Sequence, residues 1–394
     1  GLGVCCGVWS DKRGEPDGIG PQLEQHVCRG PGTARADAAG ASRAKAAGPQ
    51  ERDGLPRNAR SRTLAGVVEP TGVWSRGASS RQFFGSSNSL GPGHDCAAAL
   101  GKALSSLMNL RQLILGVFDA GGAITEPAQL DDPYQKRNTA AQAVGLASAI
   151  APLRHLARLD FSGHAMGAAG LERLEAAARG LSLAELDIRS NRLGPEAADS
   201  LAALIASHRS SVRSLRLGAI DCALGYRDRN HVGPAGIGAL ASALMGSRGI
   251  TALDMSFMEC GEDGATALAA ALGQLWSITR LALSGNSIGP GGAEAVSGAL
   301  AQMEGMTSLD LSFNGVRAAG ATALSGTLRR LGAVTWLDLS YNHLCEDGAR
   351  GLAHLAPALA AMPSLHGLDL RDTGGLPLAV RDGLAAEVAG SRSL

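Results

Sequence analysis

Met306-Thr307-Ser308-Leu309-Asp310-Leu311-Ser312-Phe313-Asn314 returns about 28 residues later as Val334-Thr335-Trp336-Leu337-Asp338-Leu339-Ser340-Tyr341-Asn342. Both stretches read LxxLxLxxN, with an aliphatic residue or Met in the first place. Ile278 to Asn286 and Leu183 to Asn191 fit the same pattern, and looser copies start at Leu110, Leu156, Val212, Ile250 and Leu365. Nine strand segments result, and a degenerate tenth is read at Ser80 to Asn88, with Phe83 in a core slot and Asn88 at the corner. Glycine forms a second ladder. Gly236, Gly264, Gly292, Gly320 and Gly348 recur at the same interval, and Gly170 and Ala198 hold that slot earlier. Two interlocked ladders at one period mark a stacked repeat architecture.

Each copy divides into parts with different physical tasks. Alternation by two sends Leu309 and Leu311 to one face of a short strand. The Asn that follows can donate and accept, so it can satisfy backbone groups where the chain leaves the strand. Gly264 to Leu272 is Ala-rich with apolar residues four apart, which predicts a helix. Pro195, Pro234 and Pro290 stand near helix starts, where a missing N–H does no harm. Strand, turn, helix and return then repeat as right-handed crossovers. The expected fold is an α/β solenoid, a horseshoe with parallel strands on its concave face and helices on its convex face.

The repeat length, the helix in each copy and the N-x-L-G…G-A-x-A-L-A-x-A-L run resemble the ribonuclease-inhibitor class of leucine-rich repeats. That class includes ribonuclease inhibitor, the C-terminal arrays of NACHT-type immune receptors and the Ran GTPase-activating protein. The resemblance covers about residues 80 to 394, or nine to ten repeats, and rests on structural positions. It implies a non-catalytic scaffold for protein–protein interaction, with the sensor part of a larger receptor as one version. The alternative it implies is a GTPase activator similar to the Ran-activating family. Against that alternative, the chain ends Ala389-Gly390-Ser391-Arg392-Ser393-Leu394, without the acidic tail common in that family.

Residues 1 to 79 lack sustained periodicity and are rich in Gly, Ala, Arg, Pro and Ser. Such a segment cannot bury enough surface to offset its ordering entropy, so it is expected to be disordered. Its basic residues are spread out rather than clustered, which disfavours a nucleic-acid-binding arm. Lys and Arg together number 36, as do Asp and Glu, so no net field recruits nucleic acid or an anionic membrane. No apolar run approaches the ~20 residues needed to span a bilayer. The start lacks the pattern of a signal peptide. It also lacks an initiator Met, so a fragment or trimmed product is expected.

Cys5, Cys6, Cys28, Cys96, Cys222, Cys260 and Cys345 form no CxxC pair, and no Asn-x-Ser/Thr sequon occurs. A reducing compartment, cytoplasm or nucleus, is the expectation, with neither metal nor cofactor and with a monomer as the unit. Cys222 and Cys260 align with Leu193, Ile288, Val316 and Leu344, a buried slot two residues past the corner, and are read as core thiols. Cys345, one place later, is read as structural too. Gly285-Asn286-Ser287-Ile288-Gly289 matches GxSxG, yet Asn286 is a repeat corner and Ile288 a core slot. No base is placed to activate Ser287. Gly236 to Ala241 reads GxGxxA but falls inside a repeat helix.

The outward strand positions carry the binding expectations. Asp160, Asp187, Asp254, Asp310, Asp338 and Asp369 form an acidic ladder, read as a solvated face, with Ser residues two places on. Phe257, Phe313 and Tyr341 share the place before the corner, and Trp336 adjoins them. In a chain so poor in aromatics, that set marks an interface. Arg189, Arg213 and Arg216 are expected on the concave side. Arg227, Arg229 and His231 lie in an extra loop from Gly218 to Val232, and a second insertion runs from Asp119 to Arg137. The concave face is thus expected to be basic toward its N-terminal half and acidic-aromatic toward its C-terminal half. The expected partner-binding residues are Arg189, Arg213, Arg216, Arg227, Arg229, Asp254, Phe257, Asp310, Phe313, Trp336, Asp338 and Tyr341.

Overall fold

The computed structural model describes residues 73–77, 80–84, 101–104, 107–115, 140–219, 229–346 and 350–371. Cys222, Arg227, Gly348, Asn88, the cysteines before residue 101 and the insertion Asp119 to Arg137 lie outside them. Among the described residues one sheet holds eleven strands in chain order. These are β1 (Val73–Gly77), β2 (Ser80–Phe84), β3 (Leu110–Ile114), β4 (Arg158–Asp160), β5 (Glu185–Asp187), β6 (Ser214–Arg216), β7 (Ala252–Asp254), β8 (Arg280–Ala282), β9 (Ser308–Asp310), β10 (Trp336–Asp338) and β11 (Gly367–Asp369). From β2 onward every pairing is parallel, and the nine strands read from the sequence are β3 to β11. β2 occupies the degenerate tenth copy. β1 lies ahead of the residue-80 boundary and pairs with β2 antiparallel, Trp74 opposite Phe83.

Between strands the chain returns through α1 (Ala140–Ser148), α2 (Gly167–Ala178), α3 (Ala198–His208), α4 (Gly233–Leu244), α5 (Gly261–Leu272), α6 (Gly289–Leu300), α7 (Arg317–Leu328) and α8 (Arg350–Ala360). Pro234 and Pro290 occupy the first turns of α4 and α6, as their missing N–H allows. The glycine ladder has a packing cause. A Cβ on Gly292 would lie 2.6 Å from Ile288 and 2.8 Å from Ala265 of the preceding helix, and one on Gly320 would lie 2.7 Å from Val316 and 2.9 Å from Ala293. Glycine there lets successive helices approach at their first turns.

A single core runs between sheet and helices. Leu281, Leu309 and Leu337 are fully buried, as are Leu268, Val296 and Leu324 of the helices facing them. The corner asparagines complete it. Asn286 accepts the N–H of Met258 at 2.9 Å and donates to the carbonyls of Met255 and Leu283 at 2.8 and 3.0 Å. Asn314 repeats this with Asn286, Leu283 and Leu311, and Asn342 with Asn314, Leu311 and Leu339. Each buried asparagine therefore serves the backbone of the preceding repeat as well as its own. A threonine ladder runs beside it, each hydroxyl of Thr279, Thr307 and Thr335 donating to the carbonyl of the Thr before it at 3.0 Å.

The fourth repeat corrects the sequence alignment. Asn230 accepts the N–H groups of Asn191 and Leu193 at 2.9 and 3.2 Å and donates to the carbonyls of Ile188 and Leu217. These are the corner bonds, so Asn230 is the corner and the extra segment is inserted before it. Val232, 1% exposed, fills the core slot two residues on, the slot assigned from sequence to Cys222. Hydrogen-bond satisfaction of buried backbone, not residue count, sets this register. Cys260 does fill its expected slot, 2% exposed, and burial pushes its thiol up to about 12. Cys345 is buried as well.

Candidate partner-binding face

The acidic ladder is not a solvated face. After each short strand the chain curls, and the carboxylate folds back to accept the N–H two residues on: Asp160 to Ser162 at 3.0 Å, Asp310 to Ser312 at 2.9 Å, Asp338 to Ser340 at 2.9 Å. The hydroxyls of those serines donate to the same oxygens at 2.7 Å. Asp160, Asp187 and Asp338 are buried, 6–7% exposed. Burial and the neighbouring Asp187 push Asp160 up to about 6, and burial and Asp338 push Asp310 up to about 7.

The basic half is likewise compensated. Burial alone would raise Asp187, but the charge and hydrogen bonds of Arg189 and the charge of Arg216 outweigh it and hold the carboxyl below its usual range. The Arg189 fork meets Asp187 at 2.6 Å and lies 3.8 Å from Asp254, while Arg216 lies 3.7 Å from Asp187. Arg213 does not face the concave side. It precedes β6, and its guanidinium donates to the carbonyls of Ser210, Ser211 and Val212 at 3.1–3.3 Å, closing the turn after α3. The expected basic-to-acidic polarity of the concave face is therefore replaced by internal ion pairing in the third to fifth repeats.

The aromatic set is drawn together. Phe313 and Tyr341 stack with centroids 4.0 Å apart and planes 9° from parallel. Phe257 reaches Phe313 at 6.3 Å across the intervening repeat. That reach depends on Gly285, whose Cβ, if present, would stand 2.1 Å from the Phe257 ring. Arg229, in the place before its corner, takes the same register slot as these rings and lies 4.2 Å over Phe257. Half-buried Phe257, Phe313 and Tyr341, with Arg229, thus form one row along the rim where strands end. Trp336 is 36% exposed on the concave side and lies over Gly367 of the next strand.

Beneath this row an open groove of about 640 Å³ is lined by Phe313, Tyr341, Ser287, Pro290, Arg317 and His343, among others. Among the described residues no three His, Cys, Asp or Glu side chains are placed to hold a metal, and no helix is long and apolar enough to cross a membrane.

A leucine-rich-repeat family model matches residues 181–202, 277–297 and 306–325, the segments that carry the strand, corner and helix start described above. The array is built of leucine-rich repeats. No curated protein sequence matches the chain. Among solved structures, a leucine-rich repeat-containing protein of Legionella pneumophila is similar at 18% identity over 75% of this chain and 95% of its own, with a TM-score of 0.36. An internalin of Listeria monocytogenes is similar at 16% identity over 68% of this chain and 70% of its own, with a TM-score of 0.32.

Sequence reasoning missed three residues of this leucine-rich-repeat array. Asn230 was readable, because Asn230-His231-Val232-Gly233-Pro234 has the form of Asn286-Ser287-Ile288-Gly289-Pro290. His164 stands at the corner of the second described repeat. Its backbone N–H donates to the side-chain oxygen of Asn191 at 3.0 Å, its ring bonds the Ser162 carbonyl at 2.9 Å, and burial holds its imidazole down at about 4. Arg317 occupies a helix-start slot that glycine holds at Gly233, Gly261 and Gly289.

Proposed function

We propose that this chain is a non-catalytic scaffold that binds another protein through the rim and inner face of its C-terminal repeats. The row from Arg229 through Phe257 and Phe313 to Tyr341 carries the reading. Rigid, half-exposed rings are the side chains that most often anchor interfaces, since they offer much area at little loss of rotamer freedom. Short parallel strands and the asparagine ladder fix their spacing, so the anchors are presented without reorganisation. Trp336 extends the apolar area onto the concave side. Of the other expected contact residues, Asp254, Asp310 and Asp338 act here through the backbone they brace, and Arg189 and Arg216 through the acids they neutralise.

The GTPase-activating alternative draws no support from these arginines. Arg189 is held by Asp187, and Arg213 by three carbonyls.

Affinity capture with the full chain, beside a Phe313→Ser/Tyr341→Ser variant, tests the proposal. A protein identified by mass spectrometry should be retained by the parent chain and lost from the variant, with both showing the same helical content by circular dichroism. An identical capture profile would overturn the reading.

A further inference from the structure

The groove under the aromatic row has an internal precedent for the group it accepts. One repeat earlier, at the start of α6, Glu262 of α5 lays its carboxylate against the first turn: its oxygens lie 3.0 Å from a Cβ built on Gly289 and 1.9 Å from one built on Gly291. An anion there answers the partial positive charge of the helix end. At the start of α7 the place equivalent to Glu262 is taken by Pro290, which brings no charge.

Arg317 stands where Gly289 stands in the repeat before. Its φ is 56°, close to the 72°, 65° and 67° of Gly233, Gly261 and Gly289. That backbone disfavours a residue with a Cβ, and a cation at a helix N-terminus opposes the dipole. Two unfavourable choices thus coincide on one exposed side chain. Among the described residues Arg317 has no salt bridge, and it lines the groove with Phe313 and Tyr341. Among the described residues no acid lines the groove, and the Glu346 carboxylate is paired with His343 at 2.9 Å.

We infer that the groove receives a carboxylate carried on an extended segment of the partner protein, doing for α7 what Glu262 does for α6. Arg317 takes the charge through its fork of donors. The stacked wall of Tyr341 and Phe313 takes a ring or proline beside that acid. The inference rests on the protein-binding reading above and names the chemistry of the partner at one point of it.

The test is an NMR titration of the full chain with acetyl-Ala-Pro-Glu-Tyr-Ala-amide and with the same peptide carrying Gln for Glu. The Glu peptide should bind at least about tenfold tighter, the size of a charge-assisted bond. Arg317→Gly should abolish that preference while melting at the same temperature as the parent or above it, because it restores glycine to a left-handed slot. Loss of binding with an intact fold is thereby separated from unfolding. Equal affinity for the two peptides, a preference retained in Arg317→Gly, or tighter binding of inorganic phosphate than of the Glu peptide would each overturn the inference. If the peptide preference fails while Phe313→Ser/Tyr341→Ser still loses its captured protein, the anionic groove falls and the scaffold reading stands.

Discussion

The side-chain oxygen of Asn230 accepts the backbone N–H of Asn191 at 2.9 Å across 39 residues of chain, the bond that Asn314 makes to Asn286 across 28. The extra residues of the fourth repeat therefore leave its corner intact. Asn230→Ala should destabilise the array by about 3 kcal/mol, since it strands several buried backbone groups at about 1–3 kcal/mol each. Asn286→Ala should cost about as much. Urea unfolding checks both, and a loss under about 1 kcal/mol for Asn230→Ala would show that the corner is held otherwise.

His164 gives a signature in acid. Its folded pKa of about 4 lies below the ordinary 6.5, so below pH 6.5 the unfolded chain gains a proton that the fold refuses. Its contribution is complete above that pH and is lost as pH falls toward 4, at up to about 1.4 kcal/mol per pH unit. His164→Asn, the residue usual at this corner, should remove that slope. Melting temperatures of parent and variant across pH 4 to 7 provide the comparison.

Asp310 acts in the opposite direction. Burial and Asp338 raise its carboxyl from 3.8 to about 7, so between those values the fold holds a proton that the unfolded chain has released. Stability from this group falls as pH rises through that window. Asp310→Asn keeps an oxygen for the Ser312 N–H and should be more stable than the parent at pH 8, with the difference gone below pH 4. A variant no more stable at pH 8 would mean that the carboxylate is well solvated.

Arg189 and Arg179 separate a buried ion pair from an exposed one. Arg189→Ala leaves the Asp187 carboxylate buried beside Arg216 alone and should cost about 3 kcal/mol or more. Arg179 pairs with Glu175 at 2.9 Å but is 70% exposed, so Arg179→Ala should cost about 0–1 kcal/mol. Similar losses for the two would contradict the compensated core of the concave face.

The architecture was legible because it is written twice, once in the LxxLxLxxN strands and once in the glycines of the helices. The aromatic row was legible for the same reason, as Phe257, Phe313 and Tyr341 share one register. What periodicity could not show was the direction a polar side chain takes after leaving the strand. Asp338 alternates outward in pattern, but the curl of the chain brings the Ser340 N–H within 2.9 Å of its carboxylate. Arg213 was misplaced because it precedes its strand by one residue, at a turn whose carbonyls it satisfies. The fourth corner was hidden by counting residues where matching Asn-x-Val-Gly-Pro would have found it.

The asparagine ladder also gives the array a direction of failure. Asn286, Asn314 and Asn342 each complete the backbone of the repeat before them. Shortening the array from its C-terminal side removes an asparagine that an inner repeat needs, and leaves that repeat's corner amides bare. Shortening it from the N-terminal side leaves every surviving corner amide with its asparagine, and what it bares lies elsewhere, at one asparagine N–H and along the threonine edge. Unravelling should therefore advance more readily from the C-terminal end, like a knitted row that runs from one edge and holds at the other.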